Sequence, residues 1–183
     1  MEEELLIKKA QDGDSQAFGQ IYDFYLPKIY RFVFIKVSNR GEAEDLTQEI
    51  FLSAWQNIKG FQFQGFSISS WLYRIAYNEV IDFYRTRKQH ETIEALPEDI
   101  LAELPKTDQN LDRALEIKKI KIVIQKLESD QQNVLIMKFV DELSNKEIAQ
   151  VLDKSEGAIR VIQHRALKQL KSYLDEPKTY SKT

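Results

Sequence analysis

The chain has no cysteine among its 183 residues, which excludes disulfides, thiolate metal sites and cysteine nucleophiles. It has only six glycines and four prolines, so long stretches run without a helix breaker and an all-α fold is expected. Its two histidines, His90 and His164, have no ligand-spaced partners, so no metal site is expected. No apolar run approaches the roughly 20 residues of a membrane span. The opening Met1-Glu2-Glu3-Glu4 is acidic where a secretion signal is basic. A cytoplasmic protein without membrane insertion is therefore expected. No Ser-His-Asp arrangement, phosphate-binding loop or Glu-x-x-His pair occurs, so neither an enzyme nor a cofactor is expected.

Hydrophobic residues make up 43% of the chain, enough for real cores. The formal net charge of −3 hides an uneven distribution. Residues 1–88 carry 11 Lys/Arg against 12 Asp/Glu, residues 89–111 carry 1 against 6, and residues 112–175 carry 12 against 10. Nucleic acid responds to a local basic face rather than to the whole-chain sum. The acidic stretch also holds Pro97 and Pro105 and no aromatic residue. It reads as a flexible linker with a short helix around 98–104. The expected organisation is a helical domain over 1–88, a linker over 89–111, a second helical domain over 112–175 and a tail over 176–183.

Apolar spacing predicts the helices. In the first block they run from Glu3 to Gln11, from Ser15 to a break or restart at Pro27, onward through Ile29, Phe32, Val33 and Val37, and from Asn39 to about Ile58. Asn39 and Glu42 are spaced as a capping box, and Leu46, Ile50, Ala54 and Ile58 form a buried stripe. A loop from Lys59 to Phe66 leads into a long helix from Ser67 to about Arg87. The second block reads as Leu111–Leu127, Gln131–Val140, Asn145–Leu152 and Glu156–Leu174.

The last two helices are spaced as a helix-turn-helix. Ser144 and Glu147 form a second capping box, Ala149 allows close helix crossing, Asp153-Lys154 makes the turn and Ser155 caps the next helix. At about 100° per residue, Ile159, Ile162, Ala166 and Leu170 point inward. Arg160, Val161, His164, Arg165, Lys168 and Lys171 occupy the outer half, with no acid among them. Charge alone suits a solvated face. Cap, small residue, turn and clean face together point to a recognition helix in the major groove, where Arg reads guanine and Val packs on a thymine methyl. Lys168 and Lys171 suit phosphates.

Two features of the first block keep two readings each. Residues 59–88 hold 8 of the chain's 20 aromatics. These form either a small core beneath a loop or stacking platforms for single-stranded DNA, with Trp71, Arg74, Asn78 and Arg85 as a separate stripe. Glu42, Asp45 and Glu49, with Gln48 beside them, form either a solvated face or a docking surface for a basic helix.

Taken together, these strings resemble the extracytoplasmic-function (group IV) sigma factors of bacterial RNA polymerase. Asp45-Leu46-Thr47-Gln48-Glu49-Ile50-Phe51 resembles their core-polymerase-binding signature. Trp71-Leu72-Tyr73-Arg74-Ile75-Ala76-Tyr77-Asn78, followed by Asp82 and Arg85, resembles their promoter-melting helix. Ser144-x-x-Glu147-Ile148-Ala149 and Ser155-Glu156-Gly157-Ala158-Ile159-Arg160, then Arg165-Ala166-Leu167, resemble their helix-turn-helix. Gln62 stands where the family often has arginine, and Ala158 where threonine is frequent.

The resemblance implies a promoter-recognising subunit that starts transcription. Its partners would be core RNA polymerase, through the β′ clamp helices and the β flap, promoter DNA, both duplex and single-stranded, and an anti-sigma protein. Asp45, Gln48, Glu49 and Leu52 would dock on polymerase. Lys59, Phe61, Phe63, Gln64, Ser67, Trp71, Arg74 and Asn78 would bind the −10 element. Ser155, Glu156, Arg160, Val161, His164, Arg165 and Lys168 would bind the −35 element. A helix-turn-helix regulator that never touches polymerase would leave the Asp45–Phe51 string and the aromatic loop without a use.

Overall fold

The computed structural model describes residues 2–63, 65–90 and 123–175. Among them there are helices and no strand, in agreement with the all-α expectation. Helix α1 spans Glu2–Gln11, α2 Ser15–Val37, α3 Arg40–Asn57 and α4 Ile68–His90, with a short 3-10 turn at Ile58–Gly60. In the C-terminal half, α5 spans Ser129–Leu135 and ends in a π turn, Ile136–Val140; α6 spans Asn145–Leu152 and α7 Glu156–Asp175. The expected linker, its short helix, the tail and most of the predicted helix Leu111–Leu127 lie outside the described residues; residues 123–125 are helical.

Local chemistry sets the helix starts. Asp14 caps α2, its carboxylate accepting from the N–H groups of Gln16 and Ala17 at 2.9 and 3.1 Å. Asn39 caps α3 by accepting from the Glu42 N–H at 3.0 Å. Only this half of the predicted box forms. The Glu42 carboxylate turns instead to Arg87 of α4, at 3.1 Å, where a cation competes better than a backbone amide. Ser67 precedes α4 as its cap, its hydroxyl accepting from the Ser70 N–H at 3.0 Å.

Pro27 does not break α2, which runs through it. An interior proline costs on the order of 3 kcal/mol. Tyr25, Ile29, Phe32 and Val33 flank it and are all buried, and each buried apolar side chain contributes roughly 1.5–3 kcal/mol. Packing on both sides of the proline therefore outweighs the lost hydrogen bond.

Helices α1–α4 form a bundle around Phe32, Ile50, Leu72 and Ala76, all fully buried. The predicted α3 stripe is buried as expected, and so are Ala43, Thr47 and Phe51 beside it. The C-terminal half does not stand apart. Helix α6 packs against α4, and one continuous apolar cluster runs from Ile7 and Phe32 to Ile136, Ile148 and Ile159.

Candidate nucleic-acid interface and docking surface

Helices α6 and α7 build the helix-turn-helix. The full capping box forms at its start: the Ser144 hydroxyl accepts from the Glu147 N–H at 3.2 Å, and Glu147 accepts from the Ser144 N–H at 2.9 Å. Asp153 closes α6 in the left-handed region, φ 52°, which aspartate tolerates. Ser155 caps α7, its hydroxyl accepting from the Ala158 N–H at 3.1 Å.

Ile159 and Ala166 are fully buried, while Ile162 and Leu170 are half-buried. Ser155, Glu156, Arg160, Val161, His164, Arg165 and Lys168 are all exposed, as is Lys171. Their shared face is less purely basic than its spacing suggests. Glu156 reaches Arg160 at 3.5 Å, because residues four apart on a helix are neighbours. Among the described residues Arg165, Lys168 and Lys171 carry no ion pair.

On α3, Asp45, Gln48, Glu49 and Leu52 are exposed, and their spacing of 3, 4 and 7 places them in one stripe. Leu52 is 57% exposed, an apolar group set among acids. Glu42 is drawn away from this stripe by Arg87. Exposed acids followed one turn on by an exposed leucine suit a basic, amphipathic partner helix.

The aromatic loop is packed at one end and exposed at the other. Phe61 is buried and packs against Phe63 and Trp71, with ring centroids 5.1 and 5.3 Å apart. Gln11 of α1 anchors it, its side-chain amide donating to the carbonyls of Phe61 at 2.7 Å and Ile58 at 3.1 Å. Phe63 and Phe66 stay exposed, at 38% and 42%. Gly65 turns the chain at φ 83°, where a side chain would be strained. A cavity of about 350 Å³ opens under the loop, lined by Phe61, Gln62, Phe66, Trp71, Arg74 and Gln150 among others. Stacking rings and a guanidinium around a hollow of this size suit an unstacked base. Lys59 and Asn78 are exposed outside the cavity, and Gln64 lies outside the described residues.

Sequence reasoning missed the contacts that join the halves. The Ser67 hydroxyl donates to Glu147 at 2.7 Å, and the Gln150 amide donates to the Gly65 carbonyl. Lys36 of α2 donates to Gln132 of α5 at 3.1 Å. Asp141, whose side chain is wholly buried, faces Tyr73 of α4 and stands 3.8 Å from Arg31 of α2. The Tyr73 hydroxyl and both Asp141 oxygens are buried without a regular hydrogen-bond partner among the described residues. Burial pushes the Asp141 carboxyl up to about 7, although Arg31, Tyr73 and Lys28 oppose the rise. Burial lowers the Lys36 ammonium to about 8, against the pull of Asp130. Burial also raises Glu147, but hydrogen bonds from Ser144 and Ser67 outweigh it and hold the carboxyl below its ordinary value. No local pattern marks these pairs, since most join residues more than 80 positions apart.

Among the described residues, no group of three or more potential metal ligands comes together, and no helix is long and apolar enough to cross a membrane.

The chain matches the family model for Sigma-70 region 2 over residues 21–90 and that for Sigma-70, region 4 over residues 119–170. It is 33% identical over 182 residues to the ECF RNA polymerase sigma factor BldN of Streptomyces coelicolor, covering 93% of this chain and 65% of that protein. It is 33% identical over 187 residues to the ECF RNA polymerase sigma factor SigW of Bacillus subtilis, covering 92% of this chain and 94% of that one. Its fold is similar to that of RpoE from Bartonella quintana, solved with the anti-sigma factor NepR, with a TM-score of 0.70 and 23% identity over 88% of this chain and 98% of that one.

Proposed function

The chain belongs to the extracytoplasmic-function (ECF) sigma factors, and from that membership we propose that it directs core RNA polymerase to specific promoters and starts transcription there. It carries out no catalytic step of its own and works in the cytoplasm, where the polymerase is. Residues 1–88 form the docking and −10 domain, 89–111 the linker, 112–175 the −35 domain and 176–183 a tail.

Asp45, Gln48, Glu49 and Leu52 dock on the β′ clamp helices, and the C-terminal domain sits near the β flap. An apolar contact at Leu52 supplies desolvation, while the acids choose a basic partner and set its register. Lys59, Phe61, Phe63, Gln64, Ser67, Trp71, Arg74 and Asn78 capture the melted −10 strand. Base flipping costs a few kcal/mol, which stacking and a fitted cavity offset. Arg160, Val161, His164 and Arg165 read the −35 duplex, with Ser155, Glu156 and Lys168 positioning the helix on it. An anti-sigma protein is a further partner.

The observation that carries this reading is the presence in one chain of an exposed acidic-apolar stripe, an aromatic cavity and a capped basic helix. A duplex-only regulator would need the last of these alone. Run-off transcription with core enzyme on genomic DNA tests it: discrete transcripts are expected, and their 5′ ends map the promoters. Absence of a sigma–core complex on a sizing column, together with absence of transcripts, would refute it.

A further inference from the structure

The cavity under the aromatic loop is built by one half of the chain and walled on one side by the other. Seven of its eight lining residues lie in 60–74, and the eighth is Gln150 of α6. The Gln150 amide donates to the carbonyl of Gly65, the glycine at the turn of the loop. One turn earlier on the same face of α6, Glu147 takes the Ser67 hydroxyl at the loop's far end. A carboxamide carries the paired donor and acceptor of a nucleobase edge. Gln150 therefore stands at the loop as a base would, with its own hydrogen bond already made.

The arrangement is held from a distance as well. Lys36 to Gln132 at 3.1 Å and Gln125 to Ser38 at 2.8 Å tie the halves together away from the loop. Tyr73 and Ile148 are fully buried between α4 and the C-terminal half. Closure leaves the other surfaces open. Arg160, Val161 and Arg165 remain exposed on α7, and the Asp45–Leu52 stripe remains exposed on α3.

We infer that α6 is a resident plug of the single-strand site: in the closed chain Gln150 holds the Gly65 carbonyl, Glu147 holds the Ser67 hydroxyl and α6 walls one side of the cavity, so the −35 duplex can be bound while a −10 strand is kept from threading the loop until the halves part. This rests on reading the loop as the −10 site. The partner of the loop in the free protein is thus a segment of the same chain. The strand's apparent affinity falls by the fraction of chains that are open.

The absence of cysteine makes the test direct. Lys36→Cys with Gln132→Cys, joined by a disulfide-containing bis-maleimide, holds the full-length protein closed at a point remote from both DNA surfaces. The probes are a non-template oligonucleotide spanning the −10 element of a run-off-mapped promoter, and a duplex carrying its −35 element. Crosslinking should weaken strand binding at least roughly tenfold and change duplex binding less than about twofold, and reductant should restore the strand. Gln150→Ala, without any crosslink, should tighten strand binding roughly two- to tenfold. Strand binding that is equal before and after reduction, or unmoved by Gln150→Ala, overturns the plug alone. A reduced protein that binds no strand overturns the −10 reading and the plug with it.

Discussion

Replacing Asp141 with asparagine should make the protein more stable at alkaline pH and change how its stability depends on pH. The native carboxyl is wholly enclosed, facing Arg31 and Lys28 of α2 and Tyr73 of α4, and titrates near 7 rather than 3.8. A raised folded-state value means that the folded chain prefers the protonated acid. That stability is fully present below pH 3.8 and is lost as pH rises through 7. Between pH 5 and pH 8 the loss from this one group is about 2–3 kcal/mol. Asparagine keeps the shape, stays neutral and loses nothing over the same interval. For a chain of this length, roughly 2–4 °C in melting temperature corresponds to 1 kcal/mol. The difference in melting temperature, variant minus wild type, should therefore move by roughly 5–10 °C in the variant's favour between pH 5 and pH 8. Thermal unfolding followed by circular dichroism at four pH values measures it, and titrations common to both proteins cancel in the difference. A gap that stays constant across the range would mean that Asp141 ionises normally and that the burial argument is wrong.

Arg165→Ala removes an exposed cation from the outer face of α7 and should weaken −35 duplex binding by roughly 1–3 kcal/mol, read by fluorescence anisotropy; unchanged affinity counts against the assignment. Asp45→Arg reverses charge at the N-terminal end of the α3 stripe, where the side chain touches solvent, so core-polymerase binding should be lost while the circular dichroism spectrum is kept. Normal co-elution with core enzyme would exclude the docking surface. Ser144→Ala takes the cap from α6 and should cost roughly 0.5–2 kcal/mol in urea unfolding, an effect that vanishes if the Glu147 N–H finds another acceptor.

Much of the site was legible because its signals are local. A cap needs one side chain and an amide three residues on, so Ser144–Glu147 and Ser155 could be read directly from spacing. Helical periodicity located Leu46, Ile50, Ala54 and Ile58 inside and Asp45, Gln48 and Glu49 outside. Where a distant partner competes, local rules fell short. Glu42 has the spacing of a capping-box acid, yet Arg87, 45 positions away, takes its carboxylate. Pro27 has the chemistry of a breaker, yet tertiary packing on both sides keeps α2 whole.

Legible along the chain alone are the helical class, the helix-turn-helix, the basic outer face of α7, the acidic stripe of α3 and the concentration of aromatics before and within α4. Each depends on residues within a few turns of one another, whose geometry the helix imposes. How the halves meet follows from packing in three dimensions. It put Tyr73 in the core, enclosed Asp141 beside Arg31, and set Gln150 at the mouth of the aromatic cavity. Those contacts join residues far apart in the chain. They are selected by the burial of one shared apolar cluster, and no periodicity along the sequence encodes them.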